Sequence, residues 1–307
     1  MKLHILLFTI LFIAINIDVF AQKSTAKIKQ KQIVFMSLDE AYKTPKDVTI
    51  LNLRQKQLTI LTDSIGMFKN LHFVNLMKNK LITLPATLGK LKKLNEINAD
   101  QNVLTHLPAE IGNNKNIQIF HLKKNKLTDL PNSFSGLSNL SVLEIAYNEF
   151  TYFDSSIVEM KKLESLVMSN NKINFIHDKI GNLTLLRELN IGHNDINGIP
   201  NNIGQLKNLE VLVLENNKIM ELPCEIGELT NLKSLILTNN KLQGLPDCFE
   251  KLQKLESLIL SYNQIEFIPP SVFKLSNLKT LVLIGNPINN EIILQLKQQL
   301  SDTDIRY

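Results

Sequence analysis

Residues 209–231, LEVLVLENNKIMELPCEIGELTN, decide the fold. Counting Leu209 as slot 1, apolar residues occupy slots 1, 4, 6, 11, 14, 18 and 21, and Asn217 stands at slot 9. A helix would return apolar residues every three or four positions and a strand every two, and this spacing does neither for long. It begins as a strand around Leu212 and Leu214, turns at an asparagine, and returns through an irregular arm carrying Pro223 and Gly227. Such a unit reads as one turn of a coil.

Working outward in steps of 23 residues, units begin at Val48, Leu71, Leu94, Ile117, Leu140, Leu163, Leu186, Leu209, Leu232, Leu255 and Leu278, without an insertion. Over the first ten units the seven slots are apolar every time except at Asn114, whereas a 44% hydrophobic composition fills about three of seven by chance. The slot-9 column holds Asn79, Asn102, Asn125, Asn148, Asn171, Asn194, Asn217, Asn240, Asn263 and Asn286, and only Lys56 departs from it. A chain leaving a strand turns backbone N–H and C=O groups inward, and an amide side chain can both donate to and accept from them. The column therefore predicts a ladder of stacked asparagines. Ordering one unit costs on the order of 1 to 2 kcal/mol per residue, while seven buried apolar side chains return roughly 1.5 to 3 kcal/mol each. A lone unit cannot fold, but stacked units cover both faces of each layer and join their strands ~4.8 Å apart into a parallel sheet.

The recurring LxxLxLxxNxL followed by LPxxIGxLxxL resembles the leucine-rich repeat family, over about residues 48–290. Units of 23 residues with LP and IG are similar to the subclass found in bacterial proteins and intracellular signalling scaffolds. The resemblance implies an α/β solenoid: an arc with a parallel β-sheet on its concave face and short helical or irregular arms on the convex side. It speaks to fold far more than to function.

The flanks are organised differently. Residues 1–21 have a basic start, an apolar run from Leu3 to Ile15, and Val19 and Ala21 at the small positions before a cleavage site, so they read as a secretory signal peptide. An uncleaved anchor helix is the competing reading, but the run falls short of the ~20 residues a span needs. Residues 22–32 form a polar basic leader. Lys23, Lys27, Lys29 and Lys31 there account for most of the net charge of +5, so no nucleic-acid footprint is expected on the folded part. In residues 33–47, Ser37 and Glu40 make a capping box, Leu38, Ala41 and Tyr42 give a short amphipathic turn, and Pro45 ends it, which predicts an N-terminal cap. Eleven repeats fill residues 48–288. Residues 289–307 read as a C-terminal helical cap and polar tail, with Ile288, Ile292, Leu296 and Leu300 on one helical face over the last layer.

Candidate functional residues fall into four groups. At slot 5, Val213, Ile236, Ile259 and Val282 succeed one another on the concave sheet, extended by Val211 and Ile284 and with Tyr262 at the rim. Contiguous exposed apolar surface marks a partner site, while β-propensity explains the same residues without one. Tyr152 and Phe175 take the outward slot 13 in the two units where Asp154 and His177 replace the usual proline, and offer a second aromatic anchor. Cys224 and Cys248 occupy slots 16 and 17 of neighbouring units, which places their Cα atoms around 6 Å apart, within reach of a disulfide in an oxidising compartment. Asn98, His121 and Glu144 lie side by side in slot 5 and are read as an ordinary cross-strand row, with Asp100 and Lys123 pairing beside it, not as a metal site.

The chain carries no phosphate loop, dinucleotide glycine fingerprint, HExxH pair or zinc-type CxxC spacing, so catalysis and cofactors are not expected. The expectation is an exported, secreted or periplasmic, non-enzymatic module that binds a protein or peptide on its concave sheet, without a membrane span in the mature chain. A self-associating structural scaffold is the alternative.

Overall fold

Only slots 3 to 5 of each unit present strict alternation with a buried middle residue, and each unit contributes a strand of that length. The computed structural model describes residues 33–307. The signal peptide and leader expected in residues 1–32 lie outside the described residues. The strands are β1 (Val34–Phe35), β2 (Ile50–Asn52), β3 (Phe73–Asn75), β4 (Glu96–Asn98), β5 (Ile119–His121), β6 (Val142–Glu144), β7 (Ser165–Val167), β8 (Glu188–Asn190), β9 (Val211–Val213), β10 (Ser234–Ile236), β11 (Ser257–Ile259), β12 (Thr280–Val282) and β13 (Asp304–Arg306). They form one 13-stranded parallel sheet in sequence order. From β2 to β12 the register advances by one unit per strand, so that Leu212, Leu235 and Leu258 are aligned. The convex arms are short 3-10 turns such as Cys224–Glu228, most of them entered through a proline whose restricted φ suits the turn. The fold is an open α/β solenoid arc.

The apolar slots line one continuous core: Leu209, Leu212, Leu214, Ile219 and Ile226 are fully buried and their equivalents stack above and below them. The slot-9 ladder runs through it. Asn217 donates its amide to the carbonyls of Ile191 and Leu214, 3.0 Å each, and its side-chain oxygen accepts the Ile196 N–H at 3.0 Å. Three backbone groups in two neighbouring units are thus satisfied by one side chain. Asn114, the single polar residue in an apolar slot, is fully buried and donates to Leu88 and Leu91 while accepting from the Asn116 N–H.

Immediately before the ladder, slot 8 is left-handed in every unit. Gln55, Lys78, Gln101, Lys124, Tyr147, Asn170, His193, Asn216, Asn239 and Tyr262 have φ between 53° and 59°, and Gly285 has 77°. Residues with a Cβ adopt this region at a cost on the order of 1 to 2 kcal/mol, and the ladder's hydrogen bonds offset it. The glycines of the IG pair answer a different need: a Cβ on Gly89 would come within 1.9 Å of the Glu110 carbonyl oxygen in the next unit. Glycine there lets neighbouring arms approach. A second asparagine ladder, at slot 23, ties the units on their outer edge: Asn208 donates to the Thr184 carbonyl and Asn231 to that of Lys207.

Both ends depart from the sequence reading. Before the first repeat, α1 (Leu38–Lys43) is capped by Ser37, whose hydroxyl accepts the Glu40 N–H, and β1 precedes it as an extra strand on β2. At the other end α2 (Asn290–Gln299) is capped by the Asn289 side chain, but its buried face is Ile293, Leu296 and Leu300, with Ile288 and Ile292 only partly covered. Steps of four drift by about 40° each on a helix of 3.6 residues per turn, so a face of three or more such steps curls away from its target. The polar end of the chain is not a tail: β13 pairs with β12 and Ile305 packs against the core.

Cys224 and Cys248 are joined as a disulfide, with Cα atoms 5.6 Å apart and a sequence separation of 24. Alkylation of the native protein without reductant should label neither thiol. Reduction should free both and lower the unfolding free energy by about 3 kcal/mol, the loop-closure value for a ring of this size. Full labelling before reduction would refute the bridge.

Candidate binding face

Slots 3 and 5 flank the inward slot 4, so their side chains leave the sheet on the concave side. The face has two halves. From β4 to β8 it carries Glu96, His121, Glu144 and Glu188, while from β9 to β12 slots 3 and 5 hold Val211, Ser234, Ser257, Thr280 and Val213, Ile236, Ile259, Val282, without a charge.

Expected as an exposed strip, the apolar row is closed instead: Val213 is 2% exposed and Ile236, Ile259 and Val282 are 6% each. Ile236 and Ile259 face branched equivalents on both neighbouring strands in register, while Val213 and Val282 do so on one side and meet Asn190 and Arg306 on the other, at a spacing of ~4.8 Å that lets methyl groups meet. The row is a dry floor. What remains accessible lies at its margins: Val211 and Ile284 are half-buried, and Tyr262 is 54% exposed. Gly285 makes room for that ring, since a Cβ there would meet Tyr262 Cδ1 at 2.6 Å.

Tyr152 and Phe175 are both exposed, as placed from the sequence, and Phe267 is a third exposed aromatic in the same slot four units beyond Phe175. The same outward position in the repeat could have shown it. Asp154, standing where proline is usual, is buried and accepts hydrogen bonds from the Leu130 N–H at 3.0 Å and from the N–H and hydroxyl of Ser156 at 2.8 and 2.7 Å. A carboxylate thus takes over the arm's turn, and Tyr152 rides beside it.

The polar half is more tightly knit than a simple row. His121 and Glu144 are register partners on β5 and β6, and His121 Nδ1 hydrogen-bonds Glu144 Oε2. The expected pairing of Asp100 with the Lys123 side chain is replaced: Lys123 Nζ lies 2.8 Å from Glu144 Oε2, and Asp100 accepts the Lys123 backbone N–H at 2.7 Å. The long lysine stem reaches across one strand to the more buried carboxylate. Glu188, on the far side, accepts a hydrogen bond from the Ser165 hydroxyl at 2.8 Å.

Burial works against ionising Glu144, but hydrogen bonds and charge from His121 and Lys123 outweigh it and hold its carboxyl down at about 2. Burial likewise opposes charging His121, yet Glu144, Asp100 and Glu96 raise its pKa above the ordinary 6.5. Burial raises Glu96, Asp100 and Glu188. The signs differ between the partners. Glu144, depressed in the fold, stabilises above its ordinary 4.5 and loses that contribution as pH falls to about 2; His121, raised in the fold, stabilises below 6.5 and loses its contribution as pH rises through its folded value. The unfolding free-energy difference between wild type and Glu144→Gln, measured by urea titration with a chelator present, should therefore be widest between about pH 4.5 and 6.5, on the order of 2 kcal/mol. A difference that stays flat from pH 3 to 8 would refute the coupling.

Among the described residues no helix is long and apolar enough to cross a membrane. A family model described as a leucine-rich repeat region matches residues 170–258, and another, described as leucine-rich repeats in two copies, matches residues 253–297. No curated protein matches by sequence. Among solved structures, the Leptospira interrogans LRR protein LIC12759 is similar at 26% identity and a TM-score of 0.61, over 90% of this chain and 100% of that one. The plant peptide hormone receptor RGFR1, solved in complex with RGF2, is similar at 26% identity and a TM-score of 0.69, over 79% of this chain. This chain spans 40% of that receptor chain. An internalin (inlF) from Listeria monocytogenes, at 23% identity and a TM-score of 0.65 over 79% of this chain and 75% of its own, shares the fold.

Proposed function

Because the chain is a leucine-rich repeat protein, a fold that serves as a protein-interaction scaffold, we propose that it is an exported, non-enzymatic module that recognises a protein or peptide ligand on the concave sheet of β9 to β12. The observation that carries this reading is the charge-free floor. Val213, Ile236, Ile259 and Val282 already exclude water from one another, with hydroxyls of Ser234, Ser257 and Thr280 along one side. A partner laid over such a surface desolvates no ion, and depletion of charge is what distinguishes the core of an interface. Tyr262 and Ile284 form the apolar margin, and Val211 closes the end nearest the charged half. The structure of RGFR1 in complex with RGF2 supports ligand binding by a chain of this fold. Export is supported by the signal-like residues 1–21 and by the disulfide, which persists in oxidising compartments.

Ser234→Arg with Ser257→Arg sets two long cations over the floor from half-buried positions that point outward. Affinity capture from the native extracellular mixture on immobilised mature protein should recover a partner, and the double variant should retain at least tenfold less of it at an unchanged melting temperature. Undiminished capture moves the site to Tyr152 and Phe175. The alternative, a self-associating scaffold, is what sedimentation of the wild type across concentration would reveal in the absence of any captured protein.

A further inference from the structure

The charged half of the concave face holds a constellation that protein recognition on the apolar half does not use. His121 and Glu144 face each other on β5 and β6, and Asp100 leaves β4 two residues beyond Asn98, the register partner of His121. Three consecutive strands thus each contribute one side chain, and one ligating atom from each, an imidazole nitrogen and two carboxylate oxygens, lies within 4.8 Å of the others. The backbone beneath is rigid, since Ile97, Phe120 and Leu143 are fully buried in the core.

Pairing stabilises these charges once they are buried, but it does not explain why charged residues stand in this slot at all. Burying charges in a pair is often neutral or worse compared with apolar residues of similar size. The same slot on β9 to β12 is filled by valine and isoleucine, so this fold has the apolar solution to hand. Glu144 is nonetheless only 6% exposed and hydrogen-bonded to the His121 ring. A charged cluster kept where the fold elsewhere takes apolar residues marks a candidate site.

We propose that Asp100, His121 and Glu144 bind a divalent transition cation of the Zn2+ type on the concave face. This departs from the sequence reading of an ordinary row, because sequence could not show that Asp100 converges on the other two. A Zn2+ ion takes nitrogen and carboxylate oxygen at about 2.0 to 2.2 Å, which sets its ligands roughly 3 to 3.5 Å apart. Rotation of the two carboxylates about their side-chain bonds closes the gap without moving a strand. Lys123 supplies the positive charge in the meantime: its ammonium sits 2.8 Å from the Glu144 carboxylate, and its flexible stem lets it withdraw when a metal arrives. The Lys123 backbone N–H, donated to Asp100 Oδ1 at 2.7 Å, orients that carboxylate as an outer partner does in metal sites. Three protein ligands leave a coordination position directed into the concavity, open to water or to a donor atom from a bound protein.

The proposal stands apart from the reading of β9 to β12 and is tested without a partner. Isothermal titration of ZnCl2 into chelator-stripped protein, with the visible absorption of Co2+ as a second probe, should show one ion per chain. His121→Ala and Asp100→Asn should each weaken binding at least tenfold, and His72→Ala, on another edge of the array, should leave it unchanged. Lys123→Met, which removes the competing ammonium, should tighten binding, an effect that a merely structural ion network would not give. Melting curves check that each variant folds, and the near-isosteric Asp100→Asn carries the test if His121→Ala does not. Absence of binding by the wild type, or equal binding by Asp100→Asn and wild type, overturns the assignment.

Discussion

Deleting residues 289–307 should leave a protein that aggregates or dimerises and unfolds at markedly lower urea concentration. The deletion removes α2 and β13 together. Leu278, Leu281 and Leu283, all but fully covered in the intact chain, would face water, a loss of roughly 4 to 8 kcal/mol of hydrophobic burial. The outer edge of β12 would also lose its partners: the Leu283 N–H donates to the Arg306 carbonyl at 2.6 Å and the Asp304 N–H to that of Lys279 at 2.8 Å. An unpaired parallel edge beside an open apolar layer is a template for another chain. Sedimentation velocity and a urea titration of the truncated protein decide the matter, and a monomer of unchanged stability would show that the cap is dispensable.

Ile236→Asp combined with Ile259→Asp should unfold the array around β10 and β11, with a loss of several kcal/mol. Sequence reasoning places these residues on an open surface; at 6% exposure each carboxylate would instead be buried between branched neighbours. Desolvating an unpaired charge costs far more than the methyl contacts it replaces. Two such charges in register on adjacent strands also repel one another. Differential scanning calorimetry should show the melting transition lowered by more than 10 °C or split. A melting temperature within a degree or two of wild type would mean that the row opens freely to solvent.

The repeat was legible because its slots are read the same way ten times over. Any one of Leu212, Asn217 or Ile226 says little, but identical chemistry every 23 residues fixes strand, turn, arm and parallel register together. The slot-23 asparagines Asn70, Asn116, Asn139, Asn208, Asn231 and Asn277 carried the same kind of signal and mark a second ladder that a search for polar columns finds. Nothing comparable announces the left-handed turn at slot 8. Glutamine, lysine and tyrosine occupy it twice each against three asparagines and one glycine, because the ladder beside it supplies the energy that glycine would otherwise save. The strand β13 was hidden in the same way, since Asp304, Ile305 and Arg306 pair through backbone and need no pattern.

Periodicity by itself determined that this chain is a solenoid, how many units it has, which residues are inside, and that Cys224 and Cys248 come within bonding distance. These are one-dimensional facts: in a stack each unit touches only its neighbours, so a fixed step in sequence is a fixed step in space. Tertiary structure alone decided which outward residues are accessible and which charges meet. Accessibility depends on which side chains meet across neighbouring strands: Val213, Ile236, Ile259 and Val282 close over one another, and Tyr262 stands clear. The meeting of Asp100, His121, Lys123 and Glu144 depends on side-chain length and rotamer across three strands, where a lysine pairs with the buried Glu144.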